Sequence, residues 1–237
     1  MAFKKNLDLI VVIPVYNEEE VILKVIKQWV NVTQNINSKI LIINDGSTDR
    51  TKKILEKIKI KKIKIFNIKN SGHGRALLYG YKAAIKLRSS FIFQVDSDNQ
   101  FSTKNFKKFW QNREKYDFQY GYRFDRKDPV YRLIITRILK FLIFFIFRAS
   151  ILDSNVPYRL MRANILNNFI SKKNISKNVP NICISIYFCK YYKSNYYFII
   201  HKERKTGNVF AIRLKLLKFC IESFFELLKF RVNLKKI

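Results

Sequence analysis

The sequence is poor in the residues that form disulfides, turns and acidic surfaces. Its 237 residues include 3 cysteines, 6 glycines and 4 prolines, and 17 acidic residues stand against 47 lysines and arginines. The cysteines form no Cys-x-x-Cys pair, which argues against a disulfide framework or a cysteine-based zinc site and fits a reducing compartment. The net charge of +30 indicates a polyanionic partner, either nucleic acid or an anionic membrane surface, unless the over-use of Lys, Ile, Asn, Phe and Tyr is a compositional bias alone.

Long apolar runs are also missing. A membrane-spanning helix needs about 20 apolar residues, and the longest uncharged apolar run near the middle of the chain covers only 141–147. The N-terminal stretch MAFKKNLDLIVVIPV has the lysines and apolar residues of a signal peptide, but Asp8 and Pro14 interrupt it and no small-residue cleavage site follows. We expect no signal peptide and no transmembrane helix, and hence a cytoplasmic location.

The first half of the chain alternates β-rich runs with helical patterns. This alternation predicts an α/β fold with a mostly parallel sheet and helices on both faces. Ligands bind such sheets beyond the carboxyl ends of the strands, and polar clusters follow the predicted strands there, so we expect one active site at that edge. The predicted strands cover 9–15, 40–43, 63–66, 91–95 and 118–122, and the predicted helices cover about 18–30, 50–60, 72–87 and 103–116.

The second half contains two apolar-rich helical segments. Residues 129–148 begin with Pro129 and place basic side chains around an aromatic and aliphatic face, as helices at a membrane surface do. Residues 210–230 form a second helix whose charged residues exclude a simple membrane span. Packing on the core is an alternative for both, above all for the second. We predict a catalytic domain over 1–209 that includes an interfacial helix at 129–148, and a C-terminal apolar and basic helix over 210–237.

The segment IINDGSTDRT (42–51) follows the second predicted strand. Gly46 suits a tight turn, and the polar residues after it suit a helix cap. Asp45 precedes the turn at the strand end, where its carboxylate can accept hydrogen bonds from a base or a ribose. A role in the turn alone is equally compatible with the sequence.

A second polar loop lies in NSGHGRALLYGYKAA (70–84), which has neither a dinucleotide-binding fingerprint nor a P-loop. Gly72 and Gly74 would let backbone N–H groups at a helix N-terminus approach an anion, and Arg75 adds positive charge. Tight packing of helix on strand would explain the same glycines. Gly72 and Arg75 are our candidates for contacts with a phosphate-bearing ligand.

Two aspartates stand two positions apart in DSDNQ (96–100), at the end of a predicted strand. Asp96, Asp98 and Gln100 offer two carboxylates and an amide at alternate positions, and these hard oxygen ligands suit Mg²⁺ or Mn²⁺. A cation completed by phosphate oxygens would bridge the carboxylates to a diphosphate. The second carboxylate is therefore expected to hold the cation.

These segments together resemble the family 2 glycosyltransferases of the GT-A fold, and among them the polyprenyl-phosphate glycosyltransferases. The resemblance covers roughly 8–210. The motifs that carry it, in order, are VVIPVYNEEE, INDGSTD, NSGHGRALLYGYKAA, VDSDNQ, GYRF and DSNVPYRLMR.

The resemblance implies roles for individual residues. The nucleotide pocket would be lined by Pro14, Tyr16, Glu18 and Asp45, and the metal with the sugar-nucleotide diphosphate would be held by Asp96, Asp98 and Gln100. The acceptor-phosphate clamp matches Arg123, Arg132 and Thr136, and the late basic loop HKERKTGNV (201–209) supplies Arg204. That loop has Asn208 where the family usually has Ser, and SNVPYR (154–159) departs from the family pattern as well. The sugar and the acceptor therefore stay open.

The expected reaction is inverting transfer of a sugar from a nucleotide-sugar, with Mg²⁺ or Mn²⁺, to a polyprenyl phosphate at an anionic membrane surface. A phosphate acceptor needs no strong base, and Arg123 and Arg132 would position it. A sugar hydroxyl in polysaccharide or glycolipid synthesis is the alternative acceptor, and Asp153 would then be the base. Capping for Asp153 and solvated surface charge for the arginines are the non-catalytic interpretations.

Two other classes remain open on the sequence. A nucleotidyltransferase could use the same Asp-x-Asp, but its basic, glycine-rich first loop is missing after Pro14. A nucleic-acid-binding protein would explain the charge, yet we find no groove-reading motif or aromatic and basic sheet face, so nucleic acid is not the expected partner. A separate membrane protein that anchors the chain is a further possible partner.

Overall fold

The chain forms a mixed α/β fold around one sheet. The computed structural model describes residues 6–123, 130–172, 175–202 and 213–234, with the side chains of 130–133, 172 and 213–219 outside the description. Within these residues the strands are β1 (Leu7–Val15), β2 (Ser38–Asp45), β3 (Ile63–Ile68), β4 (Ser89–Val95), β5 (Phe118–Arg123), β6 (Tyr158–Arg162) and β7 (Ser194–Ile199). They lie in the order β3-β2-β1-β4-β6-β5-β7.

Helices connect and cover the strands, and their buried faces follow the helical period. In the first helix Ile22, Val25, Ile26 and Trp29 are buried, which is the i, i+3, i+4, i+7 spacing of one helix face. The helices are α1 (Ile22–Val32), α2 (Thr51–Glu56), α3 (His73–Lys86), α4 (Phe106–Gln111), α5 (Val130–Phe147), α6 (Ala163–Lys172), α7 (Pro180–Tyr191) and α8 (Arg213–Leu234).

The central strand β1 shows why the sheet is parallel. It pairs in parallel with β2 on one side and β4 on the other, and all its residues from Leu9 to Val15 are buried. A strand covered on both faces needs a nearly continuous apolar sequence, which LIVVIPV supplies. The carboxyl ends of β1, β2 and β4 consequently meet at one edge.

Among the described strands only β6 runs against its neighbours. It pairs antiparallel with β4, where Val95 lies opposite Tyr158, and antiparallel with β5. Because of this reversal, β6 begins at the edge where β4 and β5 end. The segment that leads into β6 therefore lies beside the carboxyl ends of the parallel strands.

The predicted α/β class with a mostly parallel sheet is confirmed. All five predicted strands are present, each at least as long as predicted. The sequence did not predict β6 and β7, and the helix expected over 103–116 is a short 3₁₀ turn, Thr103–Asn105, followed by α4.

The last helix, α8, packs on the core. Its Phe230 lies 5.9 Å from the ring centroids of both Phe147 and Phe169, and Leu227 and Leu234 are buried in the same cluster. None of the helices in the described part of the chain has the length and hydropathy needed to cross a membrane.

A buried arginine joins β6 to α7. Arg159 is fully buried, and its guanidinium donates to the carbonyls of Val156 (3.0 and 2.5 Å), Asn181 (2.8 Å) and Ser154 (3.3 Å) and to Ser185 Oγ (3.2 Å). Burial lowers the pKa of Arg159 from its ordinary value, because the charged form has lost its water. The hydrogen bonds to main-chain oxygens offset that loss.

We expect Arg159→Leu to lower the free energy of unfolding by about 3 kcal/mol or more, since several buried acceptors would lose their donor at about 1–3 kcal/mol each. Arg162→Leu on the same strand is the matched control. Its ion pairs with Glu114 and Asp117 are partly exposed, so about 1 kcal/mol or less is expected. Guanidinium denaturation measures both variants, and equal losses would contradict a special role for Arg159.

Candidate active site

Two adjoining cavities open at the carboxyl edge of the sheet. The smaller, of about 340 Å³, lies at the ends of β1 and β2, and the larger, of about 540 Å³, lies at the ends of β4 and β5. Both include Gly72, His73, Asp96 and Asp98 in their walls. A ligand that reaches from one cavity into the other therefore passes these four residues.

The smaller cavity brings together the four residues predicted for a nucleotide pocket, Pro14, Tyr16, Glu18 and Asp45. Tyr16 is 46% exposed, so its ring is open to a stacking partner. Glu18 is buried at 7% exposure. The pocket thus offers one aromatic surface and carboxylate acceptors, a combination that can recognise a base and a ribose.

Hydrogen bonds between two loops fix the position of Glu18. Asn17, at φ 54°, receives a bond from the Thr48 backbone N–H (2.8 Å) and donates its own N–H to Ser47 Oγ (3.1 Å). The Glu18 N–H donates to Thr51 Oγ1 at 2.9 Å. The loop after β1 is therefore held to the loop after β2.

Asp45 holds the wall between the two cavities. Its Oδ1 accepts from the Ser71 N–H (2.8 Å) and Oγ (3.1 Å), and its Oδ2 accepts from the Gly72 N–H (2.9 Å). Gly46 makes the turn at φ +67°, where an added Cβ would lie 2.6 Å from the Asn70 nitrogen. Asp45 thus lines the smaller cavity and also shapes its boundary.

Asp96 presents a buried carboxylate oxygen, Oδ1, without a hydrogen-bond partner among the described residues. His73 Nε2 lies 3.7 Å away, beyond hydrogen-bond range. Burial raises the pKa of Asp96, while the charges of His73, Arg123 and Arg159 act in the opposite direction. A cation bound here would satisfy the oxygen and favour the charged carboxylate.

Asp98 and Gln100 lie beside Asp96 in the larger cavity. Asp98 Oδ1 accepts from the Gln100 N–H at 3.1 Å, and Gln100 Nε2 donates to the Lys202 carbonyl at 3.0 Å. No group of three or more His, Cys, Asp or Glu residues that could hold a metal occurs in the described ranges. A divalent cation at the two aspartates would have to take its remaining oxygens from a ligand, such as a diphosphate.

Arg123 and Asp153 form a paired group in the larger cavity. Arg123 Nε donates to Asp153 Oδ2 at 2.7 Å and Nη2 donates to Oδ1 at 2.9 Å. The side chains are 12% and 3% exposed, so this two-bond contact is largely shielded from water and fixes the guanidinium plane. The sequence predicted both residues for the site without predicting their contact.

The rest of the larger cavity combines an apolar helix face with a polar loop. α5 contributes Ile135, Thr136 and Leu139, and the segment 177–181 before and within α7 forms another part of the wall. Thr136, predicted for the acceptor, therefore lies in the same cavity as Arg123. An acceptor with an apolar chain and a charged end matches this lining.

One predicted residue is not in the lining of either cavity, and two others lie outside the described side chains. Arg75 is exposed on α3 and is absent from the lining of both. Arg204 lies outside the described residues, and so does the side chain of Arg132.

Sequence reasoning missed a histidine and a lysine in the walls. His73 lines both cavities, and Lys177 lines the larger one. His73 lies between Gly72 and Gly74, the glycines of the second polar loop. Its position after a strand is the signal that could have identified it as a site residue. Lys177 has no motif around it in a chain with 47 lysines and arginines.

We expect Asp45→Asn to loosen the wall between the cavities, because one carboxylate acceptor is replaced by an NH₂ donor that faces backbone N–H groups. The expected loss of unfolding free energy is about 1–3 kcal/mol. Urea denaturation of Asp45→Asn beside Asp8→Asn, an exposed aspartate, measures it. Unchanged stability in both variants would contradict a structural role for Asp45.

The sequence of this chain is similar to those of several known proteins. An uncharacterized protein of Methanocaldococcus jannaschii is 31% identical over 68% of this chain and 74% of its own length. The UDP-N-acetylglucosamine–dolichyl-phosphate N-acetylglucosaminyltransferase of Methanococcus voltae is 35% identical over 38% of this chain and 40% of its own length. The matched region thus spans less than half of the second relative.

Among solved structures, glucosyl-3-phosphoglycerate synthase of Mycobacterium tuberculosis, in complex with Mn²⁺, UDP and glucosyl-3-phosphoglycerate, superposes with a TM-score of 0.68. It covers 94% of this chain and 80% of that one at 15% identity, a level that establishes the GT-A fold alone. The family model for glycosyl transferase family 2 matches residues 10–175, more than half of the sequence. The chain therefore belongs to glycosyl transferase family 2 and is a glycosyltransferase.

Proposed function

We propose that this protein transfers a sugar, with inversion and with a divalent metal ion, from a nucleotide-sugar to a polyprenyl phosphate at the membrane surface. The observation that carries the proposal is the pair of cavities that share Asp96 and Asp98. One cavity offers an aromatic surface and carboxylates, which suit a nucleotide. The other has a charged end and an apolar helix wall.

The donor is assigned to the smaller cavity. Tyr16, Glu18 and Asp45 would contact the nucleoside, and the diphosphate would lie at Asp96 and Asp98, between the cavities. The buried Asp96 Oδ1, which has no hydrogen bond among the described residues, and the neighbouring Asp98 carboxylate fit Mg²⁺ or Mn²⁺. When bound, such an ion stabilises the negative charge that develops on the leaving diphosphate. The Mn²⁺ and UDP complex of the solved relative supports this assignment.

The acceptor is assigned to the larger cavity. Arg123 would contact the phosphate, with Arg132 and Thr136 as further candidates, and Ile135 and Leu139 would contact the first isoprenyl units. The dolichyl phosphate in the name of the Methanococcus voltae relative supports an acceptor of this chemical class.

In the transfer step an oxygen of the acceptor phosphate forms a bond to the anomeric carbon. The bond from that carbon to the diphosphate oxygen breaks, and the nucleoside diphosphate leaves with the electron pair. A phosphate monoester is largely dianionic at neutral pH, so no side chain has to remove a proton. The contribution of the protein is orientation, with Arg123 held in one plane by Asp153.

A sugar hydroxyl as acceptor would need a general base, and Asp153 was the candidate. Both oxygens of Asp153 accept hydrogen bonds from Arg123, so only their remaining lone pairs could take a proton. This favours the phosphate acceptor and a positioning role for Asp153.

A location at the membrane surface is supported by α5. Its exposed apolar side chains are Ile134, Ile138, Phe141, Phe144 and Phe145, and Arg137 and Lys140 are exposed beside them. Other residues of the same helix line the larger cavity. A helix that lies on lipid with this face would bring the cavity to a lipid-linked acceptor.

The first test is transfer of radiolabelled sugar from UDP-, GDP- and dTDP-sugars to polyprenyl phosphate in anionic vesicles with Mn²⁺. We expect label in the lipid fraction, its loss with a chelator, and a decrease in kcat/KM of about 100-fold or more in Asp98→Asn. Asp8→Asn serves as control. Label that moves only to a sugar hydroxyl acceptor, or transfer that is equal in Asp98→Asn, would overturn the proposal.

We expect the double substitution Phe141→Ser with Phe145→Ser to weaken binding to anionic vesicles by at least about tenfold, since two exposed aromatic side chains lose their apolar burial in lipid. Leu23→Ser, an exposed apolar residue on α1 that is 46% accessible, is the control. Vesicle sedimentation at two salt concentrations separates this loss from charge attraction. Equal binding of both variants would argue against α5 as the membrane contact.

A further inference from the structure

In the larger cavity, the positive charge of Arg123 is already balanced by the carboxylate of Asp153. Within the described lining, the carboxylates are Asp96, Asp98 and Asp153, and the cations are Arg123 and Lys177. Arg123 is already matched by Asp153. A dianionic ligand that meets this pair alone gains little net attraction, so a further positive charge is needed.

Lys177 can supply that charge. It lines the larger cavity and is absent from the lining of the smaller one. Its side chain is exposed, and in the described part of the chain its ammonium forms no ion pair and no hydrogen bond. A lysine ammonium binds phosphate as a mobile point charge with three donors.

The loop that carries Lys177 is held by the last helix. Glu226 on α8 accepts hydrogen bonds from Ser176 Oγ and from Asn178 Nδ2, the latter at 2.8 Å. Ser176 Oγ in turn accepts the Val179 N–H at 2.9 Å. The residues on both sides of Lys177 are therefore hydrogen-bonded to the Glu226 carboxylate.

The same loop rests on the wall between the cavities. A Cβ added to Gly74 would lie 2.2 Å from the Lys177 carbonyl oxygen and 2.9 Å from that of Asn178. Gly74 follows His73 in the first turn of α3, so the loop backbone packs directly on the residues that both cavities share. There is no room for this loop to move towards α3.

We propose that Lys177 is a phosphate-binding residue of the acceptor cavity and that Glu226 is its positioning residue, acting through the loop 176–179. The assignment rests on the proposed function, in that the larger cavity receives the acceptor. The ligand group is a phosphate monoester, which an isoprenyl phosphate and free inorganic phosphate share. Apolar contacts with Ile135 and Leu139 would distinguish the first from the second.

The test compares Lys177→Gln and Glu226→Gln with controls of matched charge, Lys59→Gln and Glu56→Gln, both exposed and outside the cavities. Two quantities are measured: the KM for polyprenyl phosphate in the transfer assay, and the Kd of farnesyl phosphate, with inorganic phosphate as a second ligand. We expect Lys177→Gln to raise both the KM and the Kd for the lipid phosphate about tenfold. The KM for the nucleotide-sugar and the binding to vesicles should match Lys59→Gln.

Glu226→Gln should raise the same two values, and in the double variant it should add little to the effect of Lys177→Gln, because both changes remove one interaction. Thermal unfolding checks that the variants fold. Additive effects, or a changed donor KM in Glu226→Gln, would reduce Glu226 to a general structural role and overturn the positioning claim.

The proposed function and this inference fail differently. Transfer to lipid by the wild type, with a Lys177→Gln KM and Kd equal to those of Lys59→Gln, overturns the role of Lys177 and leaves the function intact. Absence of lipid transfer, with farnesyl phosphate binding that Lys177→Gln weakens, overturns the function and supports the phosphate site. Equal weakening for inorganic phosphate would show that the site recognises phosphate without the apolar chain.

Discussion

The buried guanidinium of Arg159 is the interaction on which both walls of the larger cavity depend. An ion without water is costly in a protein interior unless it is fully hydrogen-bonded, and here its partners are main-chain carbonyls and one hydroxyl. Those acceptors belong to two segments. One leads from Asp153 into β6, and the other is the first part of α7, which continues from the loop of Lys177. One cation thus fixes the Arg123 pair and the Lys177 loop relative to the sheet.

The reversed strand β6 makes this arrangement possible. The carboxyl ends of the parallel strands lie at the site, so β1, β2, β4 and β5 contribute residues at or just after the end of a strand. A strand of opposite direction contributes the residues that precede it, and Asp153 reaches Arg123 in this way. The sheet therefore combines one cavity built from strand ends with a second cavity closed by the segment before β6, and we propose that these hold the donor and the acceptor. Asp96 and Asp98 lie at the boundary of the two.

Sequence patterns predicted the parallel part of the fold because local signals are strong there: LIVVIPV reads as a strand buried on both faces, and the residues after each strand must share an edge. They did not predict β6 or α7, since YRLMR is short and contains two arginines and PNICISIYFCKY is an apolar run without a clear period. Single residues were found where chemistry marks them, as with Asp96 and Asp98. Contacts between distant residues were not predicted. Arg123 and Asp153 are 30 positions apart in the sequence, and the position of Lys177 depends on hydrogen bonds from its loop to Glu226 on α8.

The chain as a whole is strongly basic, whereas the described lining of the two cavities has more carboxylates than cations. The net charge is +30, yet the lining of the two cavities carries Glu18, Asp45, Asp96, Asp98 and Asp153 against Arg123 and Lys177 among the described residues. The basic excess must therefore lie elsewhere, in part on α5. Surface charge of this kind raises the local concentration of the protein at an anionic membrane but does not select a substrate. Selection requires a cation beside the substrate, and we propose that the loop held by Glu226 places Lys177 there.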